Sequence, residues 1–272
     1  MVESLRELSR LCQKPRYKQV GNWMVRNILR DAALPITWLL LHTPVTANQV
    51  TFFSLCIGLA GIFLLALKPA CFFLIGMLLL QFWYLLDHVD GQIARYRKTS
   101  SLTGRFFDFV MHHILHGVFF FGVGCYVYFL SGHFIAAIWG FVTAFCMVLF
   151  NLLQDTQYKT FFEKILMLPG IIVRSSETGE KEETSSHNLA RVLFSFGHKA
   201  IEMHVLMNIF SLAAIFQCWV FKGLDFRLVL FVIYGVLVPV LTVLKTTYWI
   251  LTKRVDAEFE RNFIGENGGE TS

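Results

Sequence analysis

Charge is what this sequence has least of: 16% of its 272 residues are charged, against about 25% in an ordinary soluble domain. Apolar residues make up 55%, and mean hydropathy is +0.55. That balance excludes a disordered, collagen-like or coiled-coil chain and argues against a soluble enzyme. Cysteine is present without pattern. The six include no C-x-x-C pair, so Cys56, Cys71, Cys125, Cys146 and Cys218, set in apolar blocks, read as small buried hydrophobes. Cys12 stands apart in the basic N-terminal region. No cleavable signal peptide is evident, because MVESLRELSRLCQKPRYK is charged and amphipathic instead of a basic stub before an apolar core. What the chain does have is apolar residues in long blocks, 28 Phe among them.

A helix crossing the hydrocarbon takes about 20 mostly apolar residues. Six stretches approach or exceed that: 48–67, 70–86, 106–130, 134–153, 203–221 and 228–251. The second is short unless its helix continues towards Gly91. The expected fold is therefore all-α and integral to the membrane, six spans in residues 47–252, with a flexible polar loop at 171–198. An N-terminal region, 1–46, precedes the spans and a polar tail, 253–272, follows. Within residues 17–34, Lys18, Asn22, Arg26 and Arg30 share one stripe while Val20, Trp23, Met24 and Ile28 line another face. This is the pattern of an interfacial helix, or of one packed on the bundle.

Basic residues orient the spans. Twenty of the 24 Lys and Arg fall in the N-terminal region, the 91–105 loop, the 157–200 segment and the tail. Only Lys68, Lys222 and Arg227 fall in the opposite loops, and Lys245 lies within the last span. Both termini and the loop after the second span are thus expected in the cytoplasm. The net charge of +5 is a charge of that face, suited to anionic lipid headgroups or phosphate-bearing substrates. No nucleic-acid recognition module accompanies it.

Three carboxylates lie where a span should not carry them. Asp87 and Asp90 end the second span and Asp108 opens the third, and an acid near hydrocarbon is costly enough to suggest function. Asp87, Asp90 and Ala94 are spaced i, i+3, i+7; Asp108, His112 and His116 repeat every fourth residue on the next helix. The short connection makes these helices antiparallel neighbours, so the acids can converge. Converging carboxylates repel and call for a cation. An oxygen-rich set favours Mg²⁺, Mn²⁺ or Ca²⁺ over zinc. Gly91 and Gly104 beside the acids allow a ligand close to the backbone.

These residues resemble a known signature. Asp87-His-Val-Asp90-Gly91-Gln-Ile-Ala94-Arg95, eight residues, then Gly104-Arg-Phe-Phe-Asp108 is similar to D-x₂-D-G-x₂-A-R-x₈-G-x₃-D-x₃-D of the CDP-alcohol phosphotransferases. Seven of eight fixed positions match, which at one in twenty each is a chance on the order of 10⁻⁹ per start. The resemblance implies that Asp87, Asp90 and Asp108 hold Mg²⁺ or Mn²⁺ beside a CDP diphosphate. It places Gly91, Ala94 and Gly104 near the nucleotide, Arg95 in support, and Asn48 and Thr51 at the pocket mouth. It further implies a CDP-alcohol donor, a lipid or small polar alcohol acceptor, CMP as leaving group, membrane lipids as surroundings and no nucleic acid. A homodimer in a bacterial inner membrane belongs to the same expectation.

One position departs. The last motif aspartate is His112, an imidazole that suits Mn²⁺ better than Mg²⁺ and whose unperturbed pKa of about 6.5 also fits a general base. His112 is therefore expected as catalytic base, as metal ligand, or as both. Two other classes stay open from the residues alone: a catalytically silent family member, and a transporter with an acidic cation site.

Overall fold

The computed structural model describes residues 3–13, 17–19, 21–167, 196–219 and 223–264. Among these no strand occurs. The helices are α1 (Leu5–Cys12), α2 (Arg30–Leu41), α3 (Ala47–Leu65), α4 (Ala70–Tyr96), α5 (Leu102–Ser131), α6 (Ile135–Met167), α7 (Met203–Trp219), α8 (Phe226–Leu251) and α9 (Arg254–Phe259). Five of them, α3, α4, α5, α6 and α8, are long and apolar enough to cross a membrane. The sixth expected span is α7, a shorter apolar helix of 17 residues; the end of its expected range runs into residues outside the described set. The expected loop at 171–198 also lies outside that set, apart from 196–198, which are helical. The protein is an all-α integral membrane protein.

The helix ends follow local chemistry. Thr46 and Gln49 form a capping box at α3, the Thr46 hydroxyl accepting from the Gln49 amide at 3.3 Å and Gln49 Oε1 from the Thr46 amide at 2.8 Å. Ser101 caps α5 by accepting from the Gly104 amide at 3.0 Å, and Gly132 closes that helix at φ +75°. Pro69, unable to donate from its own nitrogen, starts α4. This helix passes through Asp87 and Asp90 to Tyr96, so the acids sit within a continuous helix and not at its end.

Packing joins the six apolar helices into a closed ring in the order α7, α4, α3, α5, α6, α8 and back to α7. Hydrocarbon offers no hydrophobic drive between helices, so close contact depends on small residues. Two glycine pairs supply it. A Cβ on Gly61 would lie 2.8 Å from the Gly76 carbonyl, joining α3 to α4, and one on Gly140 would lie 2.7 Å from Gly124 Cα, joining α6 to α5. Phe73, Phe119, Phe120, Tyr126, Phe210 and Tyr234 fill the interior. Replacing Gly140 by leucine should force α5 and α6 apart, at a cost of about 1–3 kcal/mol or more. A lowered melting temperature in detergent is the expected result; an unchanged one would mean the crossing is wider than this.

The surface segment differs from the helix expected in 17–34. Residues 23–41 are helical throughout, with a π turn at Val25–Leu29 leading into α2. Val25, Leu29, Ala33, Thr37 and Leu41 are buried, packing the segment on the bundle, while Trp23, Ile28 and Leu39 stay exposed for lipid. Ahead of it, α1 buries Leu8 and Cys12 completely, and burial pushes the Cys12 thiol up to about 11. The other cysteines depart from the buried reading. Cys56, Cys71 and Cys218 are exposed on the outside of the ring, where a thiol is tolerated as a weakly polar hydrophobe.

Two cations of the spans are also placed. Lys245, 3% exposed, donates to the Phe150 carbonyl at 3.3 Å and lies 3.9 Å over the Phe150 ring, so it does not snorkel. Arg227, counted above among loop residues, is buried in a two-pronged pair with Asp225 at 2.9 and 2.7 Å. The tail expected from residue 253 begins instead with α9, whose Phe259 is buried against Phe161 at 5.5 Å between ring centres.

Candidate metal centre

Three helix ends meet at one face of the ring: the start of α3, the last three turns of α4 and the start of α5. The N-termini of α3 and α5 both turn the positive ends of their dipoles there, a setting that favours an anionic ligand. Each site residue predicted from the motif lies on one of these ends.

α4 distributes its polar residues among its neighbours. Asp87 turns to α5, where His112 Nε2 lies 2.9 Å from its Oδ1. The same Nε2 lies 3.4 Å from Asp108 Oδ1, one turn earlier on α5. Ligand atoms of Asp87, Asp108 and His112 all fall within 4.8 Å of one another, a group that could hold a metal ion. The three side chains are 20%, 39% and 28% exposed, so the group is reachable and not sealed.

Asp90 goes elsewhere. It is 8% exposed and turned to α3, where the Thr51 hydroxyl donates to Oδ2 at 2.5 Å. The expected meeting of three carboxylates is thus divided: two acids and an imidazole between α4 and α5, and the third acid one turn along between α4 and α3. The reason is angular. Residues i and i+3 on a helix differ by about 60° in direction, enough to face different neighbours when two helices pack on the same side. As a ligand set, two carboxylates and one imidazole fit a divalent cation, with Mn²⁺ better served than Mg²⁺.

The remaining predicted residues frame this group. Asn48 lies at the start of α3 against the first turn of α5; a Cβ on Gly104 would be 3.3 Å from Asn48 Oδ1, so glycine there keeps α5 close to α3. Gly91 leaves room for the Arg95 side chain, whose Nη1 lies 3.1 Å from where a Cβ would be. Ala94 is half-exposed on the next turn, its carbonyl accepting from the Thr99 amide at 2.9 Å. Arg95 reaches the N-terminal segment, its Nε donating to the Cys12 carbonyl at the end of α1. Arg97 ties the same end of α4 to the loop before α3 by donating to the Thr43 carbonyl at 2.7 Å.

Sequence reasoning passed over His88 and Trp83. His88 Nδ1 lies 3.7 Å from Asp87 Oδ2 and 2.9 Å from the Tyr84 carbonyl. The Trp83 ring, buried, sits 5.3 Å from the His112 ring at an edge-on angle and fixes its floor. An intramembrane histidine adjoining a motif aspartate was the available signal for the first; nothing in a run of apolar residues marked the second. Behind His112, His116 Nδ1 meets Asn151 at 2.8 Å, and His113 meets Asp155 at 2.9 Å, both linking α5 to α6.

Comparison with known proteins bears on this arrangement. Residues 44–175 match the family model described as CDP-alcohol phosphatidyltransferase. The structure is similar to the crystal structure of Mycobacterium tuberculosis phosphatidylinositol phosphate synthase with CDP-DAG bound, with TM-score 0.56 and 18% sequence identity over 82% of this chain and 94% of that one. At this identity the likeness is one of fold. No curated protein matches the chain.

Proposed function

From the match of residues 44–175 to the CDP-alcohol phosphatidyltransferase family model, we propose that this chain is a member of that family and carries out a divalent-metal-dependent transfer of a phosphoalcohol group from a CDP-alcohol to an alcohol acceptor. The enzyme is a phosphatidyltransferase-type transferase of phospholipid biosynthesis. The observation that carries the metal reading is the convergence of Asp87, Asp108 and His112 within 4.8 Å. These three would hold Mg²⁺ or Mn²⁺, and the ion, when bound, would neutralise the diphosphate and favour departure of CMP.

The chain's own residues supply the rest. Asp90 fixes the start of α3 against α4 through Thr51, which brings Asn48 and Gly104 to the same rim. In the reaction an acceptor hydroxyl attacks the phosphorus that bears the alcohol, the phosphorus–oxygen bond to CMP breaks, and the hydroxyl proton passes to a base. His112 is the candidate for that base. Its Nε2 is also the atom that faces both carboxylates, so it serves as ligand or as base but not as both at once. CDP-diacylglycerol with a small polar acceptor, and a CDP-linked headgroup with a lipid acceptor, both satisfy this chemistry. Purified protein incubated with labelled CDP-alcohols and a lipid extract should release CMP only with divalent metal, and the product mass identifies the acceptor. Absence of CMP release from every donor would leave a silent member of the family.

The same proposal sets both termini in the cytoplasm of a bacterial inner membrane, as a homodimer. The Lys and Arg distribution supports the orientation, and the family resemblance supports the homodimer and the bacterial inner membrane. Ser100, in the exposed loop between α4 and α5, and Ser131, at the far end of α5, are separated by a 30-residue helix, roughly 45 Å at 1.5 Å per residue. Single cysteines at these two positions should label from opposite sides of intact cells. Labelling of the Ser100 position from outside would reverse the orientation and deny the site a cytosolic CDP-alcohol.

A further inference from the structure

Away from the metal centre, α6, α8 and α9 enclose a cavity of about 490 Å³, within the range of roughly 300–1,000 Å³ typical of ligand sites. None of Asp87, Asp108 and His112 lines it. It lies where α6 and α8 end, at the same membrane face as the metal centre, because α5 begins there and the helices alternate in direction. Leu152 and Ile250 on its flank are exposed, so it opens to the surrounding lipid.

The inside of the cavity is apolar in effect. Leu149, Leu153 and Trp249 form its walls. Three of its four threonines turn their hydroxyls to backbone: Thr242 Oγ1 donates to the Val238 and Cys146 carbonyls at 2.8 and 3.1 Å, Thr246 Oγ1 to the Thr242 carbonyl at 2.8 Å and Thr160 Oγ1 to the Thr156 carbonyl at 2.9 Å. Thr156 itself is exposed, and the Gln157 amide donates to Glu258. Along the wall of Leu149, Leu153, Thr242, Thr246 and Trp249 a hydrocarbon chain meets hydroxyls already bonded to backbone. The mouth is different. Lys253 and Asp256 line it, three residues apart, both exposed, and among the described residues neither is in an ion pair. Lys253 holds φ +49°, a left-handed conformation uncommon for lysine, which turns α9 away from α8 and sets both charges at the rim. Buried Phe259 keeps α9 in place.

A cation and an anion side by side at the mouth of an apolar groove match a headgroup that carries both charges. We propose that this groove holds one acyl chain of a zwitterionic glycerophospholipid with a primary ammonium, of the phosphatidylethanolamine type. Its phosphate meets Lys253 and its ammonium meets Asp256. An anionic lipid such as phosphatidylglycerol satisfies Lys253 alone and leaves Asp256 facing negative charge.

The test is native mass spectrometry of the full chain extracted from membranes containing equal phosphatidylethanolamine and phosphatidylglycerol. One phosphatidylethanolamine per chain should be retained in preference, by about two- to fivefold, the worth of one exposed ion pair. Asp256→Lys, which leaves two cations at the mouth, should reverse the preference towards phosphatidylglycerol. Leu153→Trp, filling the groove, should remove the retained lipid whatever its headgroup, which separates this site from lipid held at the metal centre. Equal retention of both lipids by the native protein, an unchanged preference in Asp256→Lys, or unchanged retention in Leu153→Trp would each overturn the proposal.

Discussion

Asp87→Ala and Asp108→Ala are each expected to abolish CMP release while leaving protein that extracts and elutes as a folded species. Both acids face the same nitrogen of His112, so removal of either leaves one carboxylate and one imidazole, too few ligands to keep a hard cation in place. EDTA should have the same effect on the native protein, reversed by Mn²⁺ more fully than by Mg²⁺ because an imidazole is in the set. Asp90→Ala should also inactivate, by a different route. Asp90 holds Thr51, and its loss leaves that buried hydroxyl without its carboxylate partner at the α3–α4 contact. Full turnover in EDTA would remove the metal from the mechanism. Metal binding that survives in Asp87→Ala would remove that aspartate from the site.

The second large effect is expected at His112. Loss of a positioned base costs about 10²–10⁴-fold in rate, well beyond mild packing damage. His112→Ala should therefore be nearly inactive. His112→Asp restores the family motif, and should keep measurable turnover with its preference moved from Mn²⁺ towards Mg²⁺. The reason is geometric: α5 directs the His112 side chain at Asp87, with Nε2 2.9 Å from Oδ1, so a shorter aspartate there points the same way and can share a cation held between the two helices. If His112→Ala keeps more than about a tenth of the native rate, below the weakest base effect, His112 only packs against Trp83 and the base lies elsewhere. A metal preference unchanged in His112→Asp would separate the base role from the ligand role.

Much of this protein was readable from local pattern. Hydropathy marks the apolar helices, because a membrane demands long apolar runs whatever the tertiary contacts. The spacing of Asp87, Asp108 and His112 put the three on facing stripes of two adjoining helices, because helix period and a short loop leave little freedom. Contacts across long sequence intervals were not readable. Asp90 could not be assigned to Thr51, 39 residues away, since a stripe on α4 does not say which neighbour lies over it. The same holds for Arg95, whose partner at Cys12 is 83 residues distant, and for Lys245, whose burial against Phe150 depends on how α8 meets α6.

By itself, then, the sequence determined that the chain lives in a membrane, where its apolar helices lie and which motif gathers its acids at their ends. These depend on composition and on periods of a few residues, which each segment carries within itself. Tertiary structure decided how the acids divide between two helix contacts, that one histidine nitrogen faces two of them, and where the glycine crossings draw helices together. Those are properties of the closed ring. A side chain's direction is set by its own helix, but its partner is set by which helix the packing places opposite.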